Sequence, residues 1–176
     1  MGTVTDDGLL RISRLLITLL MGLSLLIAAG ALLLVPVIFV KQLDLTAELT
    51  RHGFDASAIW WGALLLVLIS VCGALAVVFL RDLKVIVESA SDGDPFIPVN
   101  AARLRSMAWL ALAIQVVAIP MTRLAVWFDA APFAPNVHHN QNGISFGGLL
   151  LALILFILAR VFREGTRLRE EVEGTI

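Results

Sequence analysis

The sequence predicts an all-α integral membrane protein, a single membrane domain over residues 1–176 folded as a four-transmembrane-helix bundle. Three observations carry that prediction. The 176 residues are 59% hydrophobic and 15% charged, with a mean hydropathy of +0.93, whereas soluble domains run nearer ~45–50% apolar and ~25% charged. Four long apolar runs divide the chain. The cations gather in the segments that would lie on one side of a four-span protein.

Each span follows from its own run. Leu15–Val40 and Ile59–Leu80 contain no charged residue, Met107–Phe128 is interrupted by Gln115, Pro120 and Arg123, and Ile144–Ala159 ends at Arg160. A hydrocarbon core of ~30 Å takes about 20 helical residues. The first two runs satisfy this directly, and the last two satisfy it when their helices continue past the hydrocarbon edge. The expected helices are about 11–40, 56–90, 101–128 and 144–173. The first run could be read as a cleaved signal peptide, with Arg11 and Arg14 before it and Ala29-Gly30-Ala31 as the cleavage site. Nine further apolar residues follow, however, well beyond a 7–15-residue signal core, so a retained span is the expectation.

Orientation follows from the cations. Arg11 and Arg14 precede helix 1, four basic residues lie between helices 2 and 3, and four follow helix 4; the opposite side has only Lys41 and Arg51. The positive-inside rule then places both termini in the cytoplasm, in a cytoplasmic (inner) membrane, with helices 3 and 4 extending into the cytoplasm. Acidic residues balance those cations, the whole chain carrying a net charge of −1. That excludes bulk-charge binding of nucleic acid and offers no polybasic lipid-binding patch. Trp60, Trp61, Trp109 and Trp127 fall at helix ends, where an interfacial belt belongs.

Local signals set the joints. Asp44 is expected to cap a short helix Leu45–Arg51 ended by Gly53, and Asp55 to cap helix 2. The cytoplasmic connection Ser91–Asn100 contains Asp-Gly and Asp-Pro turn dipeptides, and Asn100 is read as the N-cap of helix 3. Pro120 should kink that helix. Small and polar residues form a seam at helical spacing in helix 3: Ala108, Ala111, Gln115, Ala118, Thr122 and Ala125. Shorter versions are Ser145, Gly148 and Ala152 in helix 4, and Ser70 and Ala74 in helix 2. In lipid, helices associate through close approach at small residues and through hydrogen bonds. Helix 3 should therefore pack along this face. Beyond helix 4, Arg160–Glu164, Arg167–Glu171 and Arg169–Glu173 are ion pairs at i,i+4, and the span is expected to run on as a cytoplasmic stalk to about Gly174.

Little in the chain points to chemistry. One cysteine excludes an intramolecular disulfide framework and a multi-thiolate zinc site. The sequence shows no HExxH or phosphate-cradling glycine loop and no intramembrane carboxylate, so neither an enzyme nor a cofactor is expected. The adjacent His138 and His139 lack metal-ligand spacing. The intramembrane polar residues are Gln115, Thr122 and Arg123. Gln115 reads as an interhelical hydrogen-bonding group, and Arg123 as a snorkelling side chain near Trp127.

Two motifs remain. Gly93-Asp94-Pro95-Phe96, followed by Pro98, Asn100, Arg103-Leu104-Arg105 and Ala108-Trp109, is the first; Val161-Phe162-Arg163-Glu164-Gly165, Leu168-Arg169 and Glu173–Ile176 form the second. Together they resemble the bacterial family catalogued as domain of unknown function number 2975, over most of the chain. The resemblance implies a small four-span membrane protein without an assigned active site, whose gene often lies beside that of a small helix-turn-helix regulator. On that basis Asp94, Pro95, Phe96, Arg103, Arg105, Phe162, Arg163 and Leu168 are the candidate partner-binding cytoplasmic face, with such a regulator as the expected partner beside the lipid bilayer itself. The competing structural reading makes Phe96 a plug against the helix ends. The competing functional reading is a small homo-oligomeric channel or transporter component.

Overall fold

The computed structural model describes residues 3–51, 53–55, 57–91, 96–129 and 145–173. Five helices account for nearly all of them: α1 (Thr3–Val40), α2 (Gln42–Arg51), α3 (Ala58–Ser91), α4 (Pro98–Asp129) and α5 (Phe146–Glu173). The four long helices are each long and apolar enough to cross a membrane. Between 6% and 17% of each span's most apolar window is buried inside the protein. Most of that apolar surface therefore has to meet lipid rather than a protein core.

The joints correct several expectations. α2 starts at Gln42, directly after Lys41, not at an Asp44 cap. It closes as expected at Gly53, whose φ of 82° supports a Schellman pair, Gly53 N–H to the Thr50 carbonyl and Phe54 N–H to the Leu49 carbonyl. Ser57, not Asp55, caps α3: its carbonyl accepts the first hydrogen bonds of the helix, and its hydroxyl donates to Asp55 Oδ2 at 2.9 Å. α4 starts at Pro98, earlier than an Asn100 cap would allow. Proline suits the first helical position, where its missing N–H has no partner to lose, and this frees the Asn100 side chain for another use. Asp94, Pro95 and the His138-His139 pair lie outside the described residues.

The helices pack in series. α1 lies on α3, α3 on α4, and α4 on α5, and among the described residues α1 reaches neither α4 nor α5. Gly73 sets the α1–α3 approach. A Cβ at that position would fall 2.8 Å from the Ala28 Cβ and 3.1 Å from the Ser24 carbonyl oxygen, so only glycine permits this spacing. The seam in the second expected helix thus runs through Gly73, while Ala74 is exposed. On α4 the first part of the expected seam is buried: Ala108 and Ala111 pack with Met107 and Leu104 against Ala152, Leu155 and Ala159 of α5, while Ala118, Thr122 and Ala125 are half-buried. Phe79, Leu83 and Ile86 of α3 complete this core.

All four tryptophans are exposed, as a lipid-facing belt requires. Phe39 meets Trp60 edge-on at 5.6 Å, and Phe54 lies 5.9 Å from Trp127. Neighbouring helices in the row are antiparallel, so the N-terminal halves of α1 and α4 and the C-terminal halves of α3 and α5 share one end. That end carries Arg14, Arg81, Arg105 and Arg160.

Candidate functional site

The arginine-rich end is where the polar chemistry of the molecule concentrates. Asn100 and Thr166 are the buried polar residues among those described, at 0% and 7% exposure, and both lie there. A buried amide or hydroxyl costs stability unless it is hydrogen-bonded, and each of these is. Asn100 Nδ2 donates to Ser89 Oγ of α3 at 2.6 Å, and Asn100 Oδ1 accepts from Arg103 Nη1 at 3.1 Å. Ser89 in turn donates to the Ile86 carbonyl. The Thr166 hydroxyl is shared between the Phe162 carbonyl at 2.9 Å and the Phe96 carbonyl at 3.2 Å. Asn100 thus ties α4 to α3, and Thr166 ties the segment before α4 to α5.

Phe96 completes the joint. Its ring packs 5.0 Å from that of Phe162, and a Cβ added at Gly165 would come within 3.0 Å of it. Gly165, which as a helix-interior glycine is a weak point in α5, is therefore the seat for an aromatic ring. The ring is nevertheless 42% exposed, so it fastens the joint and still presents an apolar edge. Of the candidate face, the structure brings Phe96 and Phe162 together and holds Arg103 against Asn100. Arg105 and Arg163 are exposed and line one groove between α4 and α5. Leu168, 51% exposed, stands apart: two residues beyond Thr166 is about 200° round a helix.

The stalk's ion pairs are partly redistributed. Arg167–Glu171 forms at 3.6 Å, but Glu164 turns to Arg167 at 2.6 Å instead of to Arg160. At i,i+3 or i,i+4 each exposed pair contributes only ~0.2–0.5 kcal/mol. The Glu173 side chain lies outside the described residues.

A second polar station lies within the membrane depth. Gln115 Oε1 accepts the Ser145 backbone N–H at 3.0 Å, and its amide fills the space that a side chain at Gly148 would occupy. The apolar part of α5, Phe146–Ala159, is 14 residues, or about 21 Å at 1.5 Å per residue, short of a ~30 Å hydrocarbon core. Helix N-termini carry N–H groups with no intrahelical partner. Gln115 supplies an acceptor to the start of α5 from the neighbouring helix. Thr122 Oγ1 donates to the Ala118 carbonyl, and Arg123 is exposed one turn before Trp127. No cluster of three or more metal-ligating side chains occurs among the described residues.

Asn100, Thr166 and Gly73 were not legible as structural centres in the sequence. Only the Pro98-Val99-Asn100 spacing, with proline at a helix's first position, could have hinted that Asn100 lies inside the helix.

Four long apolar helices without strands among the described residues define a multi-pass α-helical membrane protein. The chain belongs to a family of proteins of unknown function: the family model described as "Protein of unknown function (DUF2975)" matches residues 45–176, which take in α3, α4 and α5. No curated protein and no solved structure matches the chain.

Proposed function

We propose that this protein is a non-enzymatic membrane partner that holds a small helix-turn-helix regulator at the cytoplasmic face of the inner membrane. The observation that carries the reading is the joint at the arginine-rich end. There α4 and α5 project beyond their apolar runs, and Phe96, Phe162 and Thr166 lock them into one surface. Exposed Phe96 and Leu168 give two apolar patches, and exposed Arg105, Arg163 and Glu170 at the same end supply the mixed charge of a modest protein interface. The positive-inside rule puts this end in the cytoplasm, where both termini also lie. The mixed charge disfavours DNA as the direct ligand, and the gene neighbourhood implied by the family resemblance supplies the regulator. Gln115 and Thr122 are spent on internal hydrogen bonds, which speaks against a polar path along the spans.

The test is co-purification, in mild detergent, of the regulator encoded beside this gene. Phe96→Ala combined with Leu168→Glu should lower recovery by about tenfold, since interface anchors are worth ~1.4 kcal/mol or more. Leu168→Glu alone, at an exposed position, provides the readout if the Phe96 change impairs folding. Equal recovery with parent and variants, or recovery with none of them, overturns tethering.

A further inference from the structure

We propose that the groove between α4 and α5 at the arginine-rich end binds the phosphate of an anionic phospholipid headgroup. The groove encloses about 680 Å³ and is lined by Trp109 and Arg105 from α4 and by Arg163, Arg167 and Glu170 from α5. That volume is within the ~300–1,000 Å³ of ordinary small-ligand sites.

Depth argues for a lipid. Trp109 meets Phe156 edge-on at 5.5 Å, which puts these two residues at one level of the antiparallel pair. Three to four residues outward from that level the apolar runs end, at Ser106 on α4 and at Arg160 on α5. Arg105 is then about 6 Å beyond Trp109 along the helix axis, and Arg163 about 10 Å beyond Phe156. The headgroup layer extends ~5–7 Å past the hydrocarbon edge on each side. The two guanidiniums therefore lie where lipid phosphates lie, with an indole that is 58% exposed at the glycerol level below them.

Charge argues for an anion. Arg167 is engaged by Glu164 and Glu171. Arg105 and Arg163 have no acidic partner among the described residues. A guanidinium fork matches phosphate oxygens in a bidentate way, and basic pockets between transmembrane helices are suited to anionic headgroups. The groove between α1 and α3 at the same end carries a similar charge, Arg11, Arg14 and Lys84 with Glu88, but no tryptophan lines it and it encloses about 410 Å³. A headgroup in the α4–α5 groove needs no regulator, so the proposal stands or falls separately from tethering.

The experiment is native mass spectrometry of the full chain in mild detergent, with phosphatidylglycerol or phosphatidylcholine of matched acyl chains. The parent protein should retain one phosphatidylglycerol beyond its phosphatidylcholine baseline. Arg105→Gln with Arg163→Gln should weaken that retention about tenfold or more, while Arg11→Gln with Lys84→Gln, removing equal charge, leaves it intact. Equal retention of the two lipids, equal loss in both double variants, or displacement by inorganic phosphate alone overturns the proposal. A second readout needs no arginine change: bromine-labelled phosphatidylglycerol should quench the parent's fluorescence more than that of Trp109→Leu, and equal quenching by labelled phosphatidylcholine overturns it.

Discussion

The α1–α3 pair and the α4–α5 pair solve the same problem by different means. Neither can use the hydrophobic effect within the bilayer, because lipid tails are as apolar as leucine. α1 and α3 close by shape: Gly73 removes a side chain where Ala28 and the Ser24 carbonyl come closest. α4 and α5 combine an alanine seam with donors and acceptors placed at both ends, Gln115 to Ser145 at one and Thr166 to Phe96 at the other. The first arrangement gives proximity without marking a register along the axis. The second fixes register, because a hydrogen bond is lost within about an ångström of displacement. The pair held in register is also the one whose ends carry the candidate face.

The largest effect should come from breaking the pair held by shape. Gly73→Leu forces α1 away from α3 and should cost about 3 kcal/mol, the upper end for overpacking a close contact, read as a lower thermal midpoint in detergent. Gly73→Ala should cost less, and Ala28→Gly added to it should restore part of the loss, since the Ala28 Cβ is the nearest obstacle. If the Ala28→Gly change deepens the loss instead, the seam is not steric.

Next comes the polar tie between α3 and α4. Asn100→Ala leaves the neighbouring groups without their buried partner and should cost about 2 kcal/mol. Ser89→Ala should add little on top of it, because the two changes remove one interaction. Fully additive midpoints in the double-variant cycle would show that Asn100 acts through some other contact.

The smallest effect belongs to the intramembrane station. Gln115→Ala should cost about 0.6 kcal/mol, the usual size of a hydrogen bond between transmembrane helices. Gly148→Ala displaces the Gln115 amide from its seat, so in the Gln115→Ala background it should be nearly neutral. A Gly148→Ala penalty that persists without the glutamine would mean that the glycine serves close helix approach and not the glutamine.

Composition and run length alone determined the class of this protein, because a bilayer imposes length and polarity on any segment that crosses it. The belt positions of Trp60, Trp61, Trp109 and Trp127 and the Ala108–Ala111 seam were legible for the same reason: each answers to lipid or to small-residue contact at a fixed helical period. The partner of each helix was not legible. Where lipid covers most of a helix, apolar residues occupy every face, and the periodicity that orients a helix in a soluble core fades. The tertiary structure therefore decided that α1 packs through Gly73 and not Ala74, that the helices stand in series, and that Asn100 leaves its cap for Ser89. It also brought Arg105 and Arg163, 58 residues apart in the chain, to the walls of one groove. Contacts of that kind depend on which faces meet, and only the antiparallel pairing of α4 with α5 sets them.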